Sequence, residues 1–180
     1  MKLLNHIEEW LIASLIAIAT LIIFVAVVHR YASGIPLLQD AALAINMSWA
    51  QELCIYLFVW MAKFGAAYVV RTGIHVGVDV LINRLSERKR AWFIYFGLFA
   101  GALFTGVIGV LGTKLVLGIY ATGQASADLE LPMWLVYLAI PLGSFLMCFR
   151  FLQVAWNFHR TGEVPRHEVA HVEGLDVQKA

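Results

Sequence analysis

The sequence predicts an all-α integral membrane protein with four transmembrane helices, and three observations carry that expectation. Of 180 residues, 61% are apolar and only 14% are charged, and the mean hydropathy of +0.78 is too high for a soluble domain. Four segments, about 10–28, 49–70, 91–117 and 132–151, are long enough to cross about 30 Å of hydrocarbon at about 1.5 Å per residue. They use up most of the chain, so residues 1–160 are expected to form a single four-helix membrane domain.

The first span follows Glu8 and Glu9 and holds 19 uncharged residues, whereas a cleaved signal peptide has a basic start and a shorter apolar run; it reads as a retained helix. Between spans 1 and 2, YASGIPLLQDAALAINMS is broken at Gly34 and Pro36 before an alternating stretch, which predicts a short interfacial helix. Ser48 with Gln51 three residues on fits a capping box opening span 2. After Arg71, residues Ile74, Val78, Leu81, Ile82 and Leu85 share one helical face while His75 and Asp79 share another, predicting a second interfacial helix between spans 2 and 3.

Span 3 carries small residues every fourth position, Gly97, Gly101, Thr105, Gly109 and Thr113, a helix-packing stripe that lets a second backbone approach closely. In span 4, Pro132 suits the first turn, and Pro141 removes one backbone hydrogen bond and should kink the helix. Residues 161–180 lack an apolar stripe and are expected to be a disordered cytoplasmic tail. Cys54 and Cys148 lie at different depths and read as small packing residues, not a disulfide.

Ten of the thirteen lysines and arginines flank the spans on the side of the termini and the middle loop: Lys2, Arg71, Arg84, Arg88, Lys89, Arg90, Arg150, Arg160, Arg166 and Lys179. The other side has Arg30, and Lys63 and Lys114 fall inside spans. Basic flanks stay in the cytoplasm, so both termini are expected there, with the loop bearing Asp128 and Glu130 outside. Since topology accounts for the basic residues and the net charge is only +1, no nucleic-acid partner is expected, and no cofactor or metal site is predicted.

Lys63 is the residue that topology does not explain. A charge near the bilayer centre costs about 2.5–3.5 kcal/mol on insertion scales, which either snorkelling or a protein partner must offset. Glu52 shares its helical face but lies three turns away, about 16 Å. With no other Asp or Glu within the four windows, the partner is expected on a second polypeptide, docked on the face of Glu52, Tyr56, Trp60, Lys63 and Ala67.

These residues also carry a resemblance. Trp49 and Glu52, then Trp60, Gly65 and Ala66, then Arg71, His75 and Asp79, and finally LPMWLVYLAIPLG at 131–143 make the chain similar to the small membrane subunit of tripartite ATP-independent periplasmic (TRAP) transporters. The segment around Lys63 resembles the C4-dicarboxylate branch. The resemblance implies that a periplasmic binding protein delivers an organic acid, a large multi-helix permease subunit carries it inward on a sodium gradient, and the small subunit braces the large one. It also implies no enzyme activity, a place in the bacterial inner membrane, and Trp49, Arg71, His75 and Asp79 as further interface positions.

Three rivals stand beside it. A haem or quinone anchor subunit of a respiratory complex needs histidines inside the spans, but His6, His29, His75, His159, His167 and His171 all flank or follow them. A stand-alone exporter needs a central carboxylate, and Glu52 lies near the outer boundary. His75 with Asp79 as an enzymatic dyad or metal pair has no third ligand or nucleophile.

Overall fold

Apolar windows mark where a chain can sit in lipid, not where its helix stops, because Lys, Glu, Gln and Arg are good helix formers that carry it into the polar boundary. In the computed structural model, which describes residues 2–72 and 87–161, the spans accordingly outrun their windows. The elements are α1 (Lys2–Ala32), α2 (Gln39–Leu43), α3 (Ser48–Thr72), α4 (Glu87–Thr122), α5 (Met133–Tyr137) and α6 (Ala139–Thr161). Four of the helical stretches, the last formed by α5 and α6 together, are long and apolar enough to cross a membrane. With 36 residues α4 is roughly 54 Å long, so in a bilayer it must tilt or project beyond the hydrocarbon.

The fourth span is interrupted where its proline predicts. Pro141 cannot donate to Tyr137 and its ring crowds that carbonyl, so the helix breaks at Leu138 between α5 and α6. Leu142 N still reaches Leu138 O at 3.2 Å, which restarts the ladder. Pro132, expected in the first turn, stands one residue earlier, at the N-cap of α5. The start of α3 departs from expectation: Ser48 is already helical, and its amide donates to Asn46 Oδ1 at 3.0 Å. Asn46 therefore serves the helix end, as its short amide side chain allows, in place of the Ser48–Gln51 box. The second interfacial helix and residues 162–180 lie outside the described residues.

The spans pack as a row, in the order α1, α3, α6, α4, with the end helices not packed on each other among the described residues. Small residues set each contact. Ala19 of α1 and Ala50 and Cys54 of α3 are buried, with Cys54 Sγ 3.7 Å from the Ala19 carbonyl oxygen. Where α3 meets α6, a Cβ added to Gly143 would lie 2.6 Å from Lys63 Cβ, so only glycine allows that approach.

Between α4 and α6 the small-residue stripe receives phenylalanines from the same chain: a Cβ on Gly101 would stand 2.8 Å from the Phe151 ring, and one on Gly109 2.7 Å from that of Phe145. Gly112, outside the predicted stripe, accepts Ile140 in the same way. The stripe's ends differ, since Gly97 faces open space and Thr113 is exposed, turning its hydroxyl to the Gly109 carbonyl. Below the stripe, Ile94 and Leu98 of α4 join Val154, Ala155 and Phe158 of α6 in a buried cluster, closed by the edge-on pair Tyr95 and Phe158. Cys54 and Cys148 are both free thiols.

Candidate partner interface

The predicted docking face runs along α3, and the chain itself uses part of it. Ala67 has no exposed surface, so it packs inside this chain and presents nothing outward. Trp60 stacks on Phe64 at 5.8 Å, and Trp49, Trp60 and Lys63 are each half-buried. The base of Lys63 lies on the backbone of α6 at Gly143, and no hydrogen bond or ion pair engages its ammonium among the described residues. Arg71 is the last residue but one of α3; its side chain, with His75 and Asp79, lies outside the described residues.

Glu52 has an occupation that sequence alone did not reveal. Its Oε2 accepts the amides of Asp128 at 2.9 Å and Leu129 at 3.0 Å, while Oε1 accepts the hydroxyl of Tyr56 one turn on. The loop after α4 is thereby clamped onto α3. Gly123 leaves α4 with φ of +63°, Ser126 N donates to Leu131 O at 2.8 Å, Met133 N to Gln124 O at 2.9 Å, and Glu130 sits at φ of +53°. Two amides and a phenol aimed at one carboxylate satisfy it at the edge of the span, and they hold Asp128 and Glu130 outward on a fixed turn.

A second polar constellation lies near the opposite end of the row, where the termini are. Arg150, expected as a flanking residue that reports orientation, is instead 1% exposed inside α6. Its Nη2 and Nε donate to Glu8 Oε1 at 2.6 and 3.2 Å, and Nη1 donates to Gln153 Oε1 at 2.7 Å. Glu8, expected just before the first span, is correspondingly buried within α1. The expectation that no span besides the second contains an Asp or Glu is corrected, because α1 starts eight residues earlier than its apolar window and brings Glu8 inside. The available signal was Arg150 with Gln153 at i, i+3 on a helix continuing past residue 151.

Comparison with known proteins bears on what this arrangement serves. Residues 19–161 match the family described as "Tripartite ATP-independent periplasmic transporters, DctQ component". The chain is 58% identical to the C4-dicarboxylate TRAP transporter small permease protein DctQ of Rhodobacter capsulatus, over 99% of this chain and 87% of that one. It is 31% identical to the protein of the same description from Vibrio cholerae, over 98% and 82%. It is also similar, at 27% identity over 83% of its length, to 23% of the isethionate TRAP transporter permease protein DctMQ of Oleidesulfovibrio alaskensis.

Proposed function

Since the chain belongs to the DctQ family of small TRAP transporter permease components, we propose that it braces a large permease subunit for sodium-driven uptake of a C4-dicarboxylate. The observation that carries the bracing role is the row itself. Among the described residues the four helices pack one on the next with the end helices not packed on each other, and they offer broad apolar faces. On α4 the exposed residues include Trp92, Phe96, Phe99, Leu103 and Phe104, and α1 is apolar and exposed along most of its length. Such a plate suits the static side of a carrier whose other part slides.

The DctMQ relative supports a large partner, because there the stretch similar to this chain is a minor part of one permease polypeptide. Lys63 is assigned a carboxylate of that partner, with Trp49, Trp60 and Arg71 on the same interface and His75 and Asp79 continuing it. The substrate class follows the 58% identical relative. Both termini are placed in the cytoplasm: with Arg150 taken as an internal partner, nine lysines and arginines still flank the spans on that side against Arg30 on the other. The loop held by Glu52 then faces the periplasm, where a substrate-binding protein would dock.

The test is to tag the chain in its native host, purify it in mild detergent and identify any stoichiometric companion by mass spectrometry. A large permease is expected, with succinate uptake lost when the gene is deleted, and Lys63→Glu is expected to lower permease recovery more than Lys63→Met. A chain that purifies alone and transports alone would overturn the bracing role, and equal recovery with both variants would remove Lys63 from the interface.

A further inference from the structure

At the loop end of the row, α1, α2 and the start of α3 surround a cavity of about 510 Å³ that the bracing role does not use. One long-range hydrogen bond gives it a wall. His29 Nε2 lies 2.8 Å from the carbonyl oxygen of Ala42, and because a carbonyl can only accept, the imidazole donates. That bond draws α2 back against α1, while the turn between them is closed by Gly34 N to Tyr31 O at 3.1 Å and Leu38 N to Ile35 O at 2.9 Å. The open cavity is therefore bordered on its α2 side by tied backbone.

Its lining divides into two zones. Ile23, Val27, Leu43 and Ile45 are apolar, whereas Arg30, Asn46, Ser48 and Gln51 carry polar groups. Arg30 is exposed, and it is the one lysine or arginine that flanks the spans at this end. Asn46 spends its Oδ1 on the Ser48 amide, which leaves its amide nitrogen to donate. One cation, neutral donors and an apolar wall therefore meet where α1 and α3 reach the end of the bilayer, the depth of the phosphate groups.

We infer that this cavity binds a phospholipid, its phosphodiester at Arg30 and its acyl chains leaving along Ile23 and Val27 of α1. The volume lies within the range of ordinary ligand sites and accommodates a headgroup with its glycerol, so the chains run outside over the exposed side of α1. A free dianion would meet a single positive charge and would have to strip its water against an apolar wall. A phosphodiester carries one negative charge and brings the apolar surface that the wall needs. The inference requires only that the row spans a bilayer, and stands whether or not a permease subunit is its partner.

The experiment is native mass spectrometry of the full chain, together with whatever subunit co-purifies, after delipidation and titration with palmitoyl-oleoyl phosphatidylglycerol or, in a parallel arm, inorganic phosphate. One lipid adduct is expected to persist at activation that strips the rest. Arg30→Gln should weaken it about tenfold, the usual range for losing one hydrogen bond to a charged group, and Arg30→Lys should restore much of it. Val27→Trp, which fills the apolar zone, should weaken the lipid adduct, whereas Arg160→Gln at the far end should leave it unchanged. Phosphate adducts that compete equally with lipid, or lipid retention equal in wild type, Arg30→Gln and Val27→Trp, would overturn the inference.

Discussion

Removing Arg150 should be among the most damaging single changes in the described part of this chain. Its guanidinium is 1% exposed and makes two hydrogen bonds to a Glu8 carboxylate whose side chain is only 5% exposed. Arg150→Met would leave that carboxylate buried without its cation, and breaking one side of a buried pair costs about 3–5 kcal/mol. Glu8→Met takes the carboxylate from a buried guanidinium that keeps its bond to Gln153, and should cost a similar amount. The double variant removes both charges and their desolvation, so it should fall within about 2 kcal/mol of the wild type, giving a non-additivity of several kcal/mol. The assay is equilibrium unfolding in mixed dodecylmaltoside and SDS micelles, followed by the fluorescence of the six tryptophans. Single variants costing less than about 1 kcal/mol, or a double equal to the sum of its singles, would refute the view that this pair joins α1 to α6.

Three other outcomes follow from the packing. Gly101→Leu should loosen the α4–α6 contact by about 1–3 kcal/mol because its Cβ meets the Phe151 ring, whereas Gly97→Leu, facing open space, should change the melting temperature little; equal effects would dismiss the stripe as the determinant. Gly143→Val should lower thermal stability in detergent further than either, since the new carbons meet Lys63 Cβ and the α3 backbone; an unchanged melt would contradict the close approach. Glu52→Ala should release the amides of Asp128 and Leu129, raising hydrogen exchange in 124–132 by about 1–3 kcal/mol of lost protection, and unchanged exchange would remove the clamp.

What the sequence conveyed and what it withheld divide along physical lines. The four spans were legible because lipid demands long uncharged helices, and the break at Leu138 because Pro141 acts on the turn before it. The stripe announced a close contact, yet Gly97 and Gly112 show that a repeat of four drifts off the contact line of a 3.6-residue helix. Hidden from any local reading were the long-range polar pairs. Glu52 meets amides 76 and 77 residues away, and Glu8 meets Arg150 across 142 residues. Each looked like an ordinary boundary residue, because polarity near a span end is as readily explained by water as by a partner. The order of the row was equally silent, since apolar helices in lipid choose neighbours by side-chain fit and not by sequence adjacency.

That order also governs how the chain is made. The last described helix to leave the ribosome, α6, occupies an inner position, with α3 on one side and α4 on the other. Until it inserts, α1 packs on α3 while α4 lacks its main helix neighbour, and the two are tied through the Glu52 clamp on the loop after α4. Helix packing is therefore completed by α6, and a ribosome that stalls before Ala139 releases a chain whose α3 and α4 each expose the face that α6 would cover. Quality control of this small protein thus comes down to whether α6 arrives.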